Sequence, residues 1–280
     1  MVLSLDRWIG KVAIVTGASS GIGAAIAEQL EKRNSIDITK EEDISNGFKW
    51  VKENLGPVHI LVNNAGTGGR TNLTDGDTEI WKNIFQLNVI GLCIATREAI
   101  KDMKANKVDG HIIHINSTLG HQTINYPGLN VYPASKFAVT ALAETLRLEL
   151  NFKSLSPGLV NTEFFTDELK QSERFKRIIE GKQILDPVDI ADGVIYVLST
   201  PPHVQTLRDT HLKPVAELPN LRLLGNEKPP PAPMWGRALR KRPRPLLIKG
   251  SRRNLADMST KGKGSPARVA AWSPLMVLDS

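Results

Sequence analysis

The sequence predicts an α/β fold: a doubly wound parallel sheet with helices on both faces. Three observations predict it. Short apolar runs at Val12-Ala13-Ile14-Val15, His59-Ile60-Leu61-Val62 and His111 to Asn116 are separated by stretches of helical periodicity. The runs are largely apolar rather than alternating, as strands covered on both faces must be. The first run ends in a glycine-rich turn that leads straight into a helix.

Each element follows in order. After Thr16-Gly17, the residues Ile22, Ile26 and Leu30 recur on one helical face. Thr39-Lys40-Glu41-Glu42 reads as a capping box, Thr with Glu three residues later. The apolar stripe Ile44, Phe48, Val51 and Leu55 follows it, and Gly56-Pro57 ends that helix. The strand at His59–Val62 leads into Asn63-Asn64-Ala65-Gly66. A long helix is expected over about 77–105, with Trp81, Ile84, Phe85, Leu92 and Ile100 among its apolar positions. Tyr132 to Leu150 is again helical, and Leu155-Ser156-Pro157-Gly158 closes a strand. Asp186-Pro187-Val188-Asp189 places a cap, a first-turn proline and an acid ahead of a helix reaching about Ser199.

Composition bounds the function. The chain has 280 residues, 41% hydrophobic and 23% charged, within the ordinary globular range. No apolar run approaches the roughly 20 residues of a membrane-spanning helix, and Met1 to Gly10 does not read as a secretory leader. Cys93 is the only cysteine, which excludes an internal disulfide and a multi-cysteine metal site. A reducing, cytoplasmic setting is the expectation. His111, His114 and His121 are too dispersed to suggest a metal site. The net charge of +7 belongs to the end of the chain, because residues 218–280 carry 13 Lys and Arg against 3 Asp and Glu. That stretch also holds nine prolines and loses apolar periodicity, so 218–280 is expected to be a disordered basic tail behind a domain of 8–217. Arg240-Lys241-Arg242-Pro243-Arg244 and Arg252-Arg253 could contact nucleic acid. A solvated tail with no nucleic-acid partner is the simpler expectation.

Two constellations carry chemistry. Gly17, Ser19, Ser20, Gly21, Ile22 and Gly23 form a turn of spacing G-x-x-x-G-x-G between strand and helix. Glycines there let the backbone approach a phosphate, and the helix N-terminus offers free N–H groups to a pyrophosphate. A tight strand-to-helix connection would use the same glycines for packing alone. Tyr132 and Lys136 lie four apart on one helical face. A nearby ammonium favours the phenolate, and a phenol so tuned can exchange a proton with an alcohol or carbonyl oxygen. Ser117, at the C-terminal end of a strand, could hydrogen-bond the same oxygen. Such strand ends are where open α/β sheets bind ligands.

The glycine turn, Asn63-Asn64-Ala65-Gly66, Asn88 in Leu87-Asn88-Val89, Ser117, Tyr132-Pro133-Ala134-Ser135-Lys136 and Pro157-Gly158 occur in one order. Together they resemble the short-chain dehydrogenase/reductase family over roughly residues 8–200. The resemblance implies a Rossmann-like fold and an NAD(P)-linked interconversion of an alcohol with a ketone or aldehyde on a small or lipophilic substrate. It implies Tyr132 as acid/base and Lys136 as holder of the nicotinamide ribose. Ser117 would orient the substrate oxygen, and Asn88 would hold a water in a proton relay. Asn64, Ala65 and Gly66 would border the cofactor, with Pro157, Gly158 and Thr162 at its nicotinamide end. Phe164 and Phe165 fall where the family covers its substrate. Family members commonly form homo-oligomers.

The chain departs from the family in one stretch. Each added parallel strand with its crossover needs about 30 residues. Between Gly23 and Val58 only two helices and Ser35-Ile36-Asp37-Ile38 fit. The expected sheet therefore lacks the second strand and part of the third, and Ile36 and Ile38 could shield the exposed edge of the first. A second shortening falls at Asn151-Phe152-Lys153. The end of a second strand carries the group that separates NAD from NADP. Asp37 lies 20 positions after Gly17, where that acid is expected, but Asp37-Ile38-Thr39 also resembles the family's later Asp-x-Thr segment at the adenine. NADP is the favoured cofactor, with NAD left open. A catalytically impaired scaffold that binds a partner is the alternative function.

Overall fold

Val12–Thr16 forms β1, and every residue of it is buried. Its side chains alternate between two hydrophobic clusters, one on each face of the sheet. Ala13 and Val15 pack with Ile26, Ala27 and Leu30 of α1 (Gly21–Leu30) and with Ile190, Val194 and Val197 of α7 (Pro187–Ser199). Val12 and Ile14 pack with Ile44, Phe48 and Val51 of α2 (Glu41–Asn54), with Ile94, Ala95 and Ala99 of α4 (Leu92–Ala105), and with Ala143 and Leu146 of α5 (Val131–Glu149). A strand covered on both faces needs an apolar residue at every position, hence the unbroken run.

These elements come from a computed structural model that describes residues 3–30, 39–124, 128–149, 153–165, 170–179, 184–200, 210–212 and 268–272. The chain divides into a unit of Met1–Glu217 with Ser265–Ser280 and a unit of Leu218–Gly264, and all described elements belong to the first. The remaining strands are β2 (Val58–Asn63), β3 (His111–Ile115), β4 (Lys153–Pro157), β5 (Thr210–Leu212) and β6 (Arg268–Trp272). They form one sheet in the order β5-β4-β3-β2-β1-β6 with every neighbouring pair parallel.

Two features differ from the sequence expectation. Among the described residues no strand falls between β1 and β2 in the chain, in keeping with the loss of the second strand. Ile36, Asp37 and Ile38 lie outside the described residues, as do Asn151 and Phe152. The outer edge of β1 is paired by β6, with Val12 level with Arg268, Ile14 with Ala270 and Thr16 with Trp272. This corrects the expectation of disorder for those five residues. Val269-Ala270-Ala271-Trp272 is an apolar run between Pro266 and Pro274, and a buried strand with an open edge gives it backbone partners. Most of 218–280 otherwise lies outside the described residues.

The second difference is the expected single helix over 77–105. It is three pieces: α3 (Thr78–Phe85), a π-helical segment Gln86–Gly91, and α4. Asp77 caps α3 by accepting from the Glu79 amide at 2.8 Å. The π turn carries Asn88 into the interior, and such turns concentrate at functional positions. The box expected at Thr39 does not cap α2: the cap falls on Lys40, which makes no side-chain capping bond. At α7 the box does form, with the Asp186 amide donating to Asp189 Oδ2 at 2.8 Å. A short α6 (Glu173–Ile179) completes the helices. No helix among the described residues is long and apolar enough to cross a membrane.

Ile14 is fully buried at the centre of the sheet. Ile14→Ala is expected to cost about 2–5 kcal/mol, read as a lowered midpoint in urea unfolding at unchanged slope.

Candidate functional site

The C-terminal ends of β1 to β4 gather the sequence-singled residues along one edge. Thr16 closes β1, and its hydroxyl organises the turn. It accepts from the backbone amides of Asn64 and Ala65, both at 3.0 Å. The Asn64 side chain returns the connection, donating to the carbonyls of Thr16 at 3.0 Å and Gly17 at 3.1 Å. The loops after β1 and β2 are thus tied together through Thr16, which sequence reasoning had treated only as the end of a strand.

The glycines of the first turn are each needed. Gly17 has φ +66°, and a Cβ there would lie 2.7 Å from the Ala65 Cα. Gly21 has φ +54° and opens α1. On Gly23 a Cβ would overlap the Gly17 carbonyl oxygen and the Asn64 amide. Ser19 and Ser20 are exposed, and Ile22 is half-buried. A Cβ on Gly21 would lie 3.1 Å from Thr162 Cγ2, so the segment after β4 reaches across to the phosphate-type turn. Pro157 ends β4, and the Gly158 amide donates to the Leu212 carbonyl at 2.8 Å. A tight glycine turn at a helix N-terminus, open along the sheet edge, suits a dinucleotide pyrophosphate. Gly66 keeps side-chain bulk away from Asn88 Oδ1 and Lys136 Nζ, which a Cβ would approach to 3.4 and 3.7 Å. The residues present therefore fit a dinucleotide. Of the expected contacts, Asp37 and Ile38 lie outside the described residues.

Tyr132, Lys136, Ser117 and Asn88 are all buried and lie close together. Ser117 starts a short 3-10 turn, accepting from the Leu119 amide at 3.1 Å, and its hydroxyl neighbours the Tyr132 phenol. Lys136 Nζ donates to the Ile115 carbonyl at 3.1 Å and stands 5.8 Å from the centre of the Tyr132 ring. The electrostatics differ from the simple expectation of a phenol lowered by its ammonium. Burial pushes the Tyr132 phenol up to about 12, and the neighbouring Ser117 hydroxyl opposes this without cancelling it. Burial also pulls Lys136 down to about 8. His114, on β3, falls to about 3, through burial first and Lys136 second.

Asn88 is held by protein groups on both sides. Its Oδ1 accepts from the Thr67 amide at 2.8 Å. Its Nδ2 donates to the Thr67 carbonyl at 2.9 Å and to Ser135 Oγ at 3.0 Å. Ser135 in turn donates to the Tyr132 carbonyl at 2.7 Å. The side chain thus braces the loop after β2 against the helix that carries Tyr132. Thr67 and Ser135 were not singled out in the sequence, although Ser135 stands inside the quoted Tyr132–Lys136 motif.

An aromatic wall flanks the phenol. The Phe164 ring centre lies 5.1 Å from that of Tyr132, Phe165 follows at 5.3 Å from Phe164, and Phe175 at 5.3 Å from Phe165. His121 pairs with Ser156 at 3.0 Å, and among the described residues no three His, Cys, Asp or Glu side chains converge as a metal site would require.

Two outcomes are expected. Thr16→Val strands the Asn64 and Ala65 amides, at about 1–3 kcal/mol for each, measurable by denaturant unfolding. The depressed Lys136 sets a pH slope: between about pH 8 and the pKa of an ordinary lysine, the unfolded chain holds a proton that the folded chain does not. Stability should therefore rise with pH from about 8 toward 10, and Lys136→Met should flatten that rise in thermal melts.

The comparisons with known proteins agree with this geometry. The family model described as short chain dehydrogenase matches residues 33–173. Farnesol dehydrogenase of Aedes aegypti is 40% identical over 252 residues, covering 76% of this chain and 99% of that one. The matched part of this chain is thus shorter than the relative, as a lost strand requires. Dehydrogenase/reductase SDR family member 11 of Homo sapiens is 36% identical, covering 76% of this chain and 98% of its own length. Among solved structures, the closed form of serine dehydrogenase complexed with NADP+ superposes with a TM-score of 0.64 at 26% identity, over 73% of this chain and 95% of that one. An alcohol dehydrogenase from Thermococcus sibiricus complexed with 5-hydroxy-NADP gives 0.63 at 26% identity, over 73% and 97%. Matching relatives along nearly their whole length, this chain belongs to the short-chain dehydrogenase/reductase family of oxidoreductases.

Proposed function

We propose that the chain interconverts an alcohol and a ketone or aldehyde with NADP(H), using Tyr132 as the proton donor and acceptor. One observation carries this: a buried phenol beside the Ser117 hydroxyl, with the Lys136 amine one helical turn along. The solved neighbours complexed with NADP+ and 5-hydroxy-NADP support the choice of cofactor.

The glycine turn from Gly17 to Gly23 would receive the pyrophosphate at the N-terminus of α1. Asn64, Ala65 and Gly66 would line the middle of the cleft, with Pro157, Gly158 and Thr162 at the nicotinamide end. When bound, the nicotinamide supplies or takes the hydride. Ser117 orients the substrate oxygen toward the phenol, and Tyr132 gives that oxygen a proton in reduction or removes one in oxidation. Lys136, held by the Ile115 carbonyl, supplies positive charge beside the phenol when protonated. Asn88 keeps both walls of the cleft in register through Thr67 and Ser135. Phe164 and Phe165 present an apolar surface next to the phenol, which suits a lipophilic substrate. The likeness to a farnesol dehydrogenase points the same way.

Tyr132→Phe should lower turnover by about 10²–10⁴-fold, the usual contribution of a positioned acid or base, while leaving the thermal midpoint nearly unchanged. Unchanged turnover would remove Tyr132 from the chemistry. A phenol held near 12 is protonated at neutral pH. Carbonyl reduction should then hold a level rate from about pH 6 to about pH 8, where Lys136 loses its charge, whereas alcohol oxidation should climb by about tenfold per pH unit up to that point. The alternative of a non-catalytic scaffold predicts no binding of NADPH or NADH at millimolar concentration in equilibrium dialysis.

A further inference from the structure

β6 lies directly outside β1, the place of a second strand in a doubly wound sheet. In such sheets the group facing the adenosine ribose follows the C-terminal end of that strand. It is an acid where NAD is selected and a basic group where NADP is. Register identifies the equivalent point here. Thr16, the anchor of the glycine turn, is level with Trp272, the last residue of β6. α1, whose N-terminus opens from that turn, lies against β6 as well as β1. Arg268-Val269-Ala270-Ala271-Trp272 contains no acid.

We propose that the C-terminal strand completes the nucleotide site. A segment more than 200 residues beyond the glycine turn takes the place of the strand missing between Gly23 and Val58, and its end forms the wall beside the adenosine ribose. Without a carboxylate to accept from both ribose hydroxyls, this wall does not select NAD(H) over NADP(H). The identity of the ligand rests on the function proposed above, whereas the docking of the strand does not.

Hydrogen exchange on the full chain tests the docking without any cofactor. The amides that β6 and β1 use on each other should exchange about 100-fold or more slowly than in an unstructured chain, as expected for a sheet in the stable core. Exchange of Arg268–Trp272 at unstructured rates overturns the proposal, whatever the activity. Val269→Pro and Ala270→Pro form a paired test, because successive amides of a strand point to opposite edges and one of the two serves the ladder with β1. One variant should speed exchange in Val12–Thr16 and weaken NADPH binding at least tenfold, with the other near wild type. If neither does so, β6 is not part of the site.

The ribose assignment is read by adding NADPH or NADH separately. NADPH should slow exchange at the end of β6 and bind at least as tightly as NADH. NADH binding tenfold tighter than NADPH, or nucleotide protecting the glycine turn but not β6, overturns it. If neither nucleotide binds, the ribose assignment falls together with the catalytic proposal, while slow exchange in β6 would still uphold the docking.

Discussion

A strand in the middle of a sheet has no water at either edge, so its amides and carbonyls must find protein partners on both sides. β1 is such a strand. β2 satisfies one edge and β6 the other. What happens at the C-terminal end of the sheet hangs from this arrangement. Thr16 can hold the Asn64 and Ala65 amides only because β1 is fixed in register with β2. The glycine turn departs from Thr16, and α1 departs from the turn. A slip of one residue would send the alternating side chains of β1 to the wrong cluster and displace the turn with them.

Desolvation governs the chemistry at the same edge. Enclosing Tyr132 and Lys136 raises the phenol and lowers the amine, each toward its neutral form. Only the Ser117 hydroxyl draws the phenol back toward ionisation. The free chain is thus poised with a neutral acid, ready to give its proton. The polar groups around it are held by neighbours rather than by solvent: Lys136 by the Ile115 carbonyl, Asn88 by Thr67 and Ser135. This fixes the distance between the loop after β2 and the first turn of α5, the two walls of the cleft.

Much of this was legible in the residues. The unbroken runs at Val12–Val15 and Ile60–Val62 could only be strands covered twice, and the stripe Ile44, Phe48, Val51 marked the buried face of α2 correctly. Tyr132, Lys136 and Ser117 came together as their positions on helix and strand end implied. The π turn was not legible, because Gln86–Gly91 has ordinary helix-forming residues and the turn shows only in the tertiary bonds of Asn88. The Thr39 box failed because the spacing of Thr and Glu is necessary for a cap but does not decide where the helix begins. Thr16 was passed over for a related reason, since a threonine at a strand end has no local pattern that announces which amides it will meet. β6 was missed because proline and lysine around it dominate the composition, and its partner lies at the other end of the chain.

That last pairing has a consequence for biogenesis. During synthesis the first strand emerges early, whereas the segment that seals its outer side follows more than 250 residues later. Until Arg268–Trp272 leaves the ribosome, one edge of β1 stands bare, in a state that invites pairing with other chains. Closing the sheet joins positions more than 250 residues apart, among the most distant contacts a chain of this length can make, and such contacts form slowly. A ribosome stalled short of residue 268 would therefore release a polypeptide with an unsealed sheet.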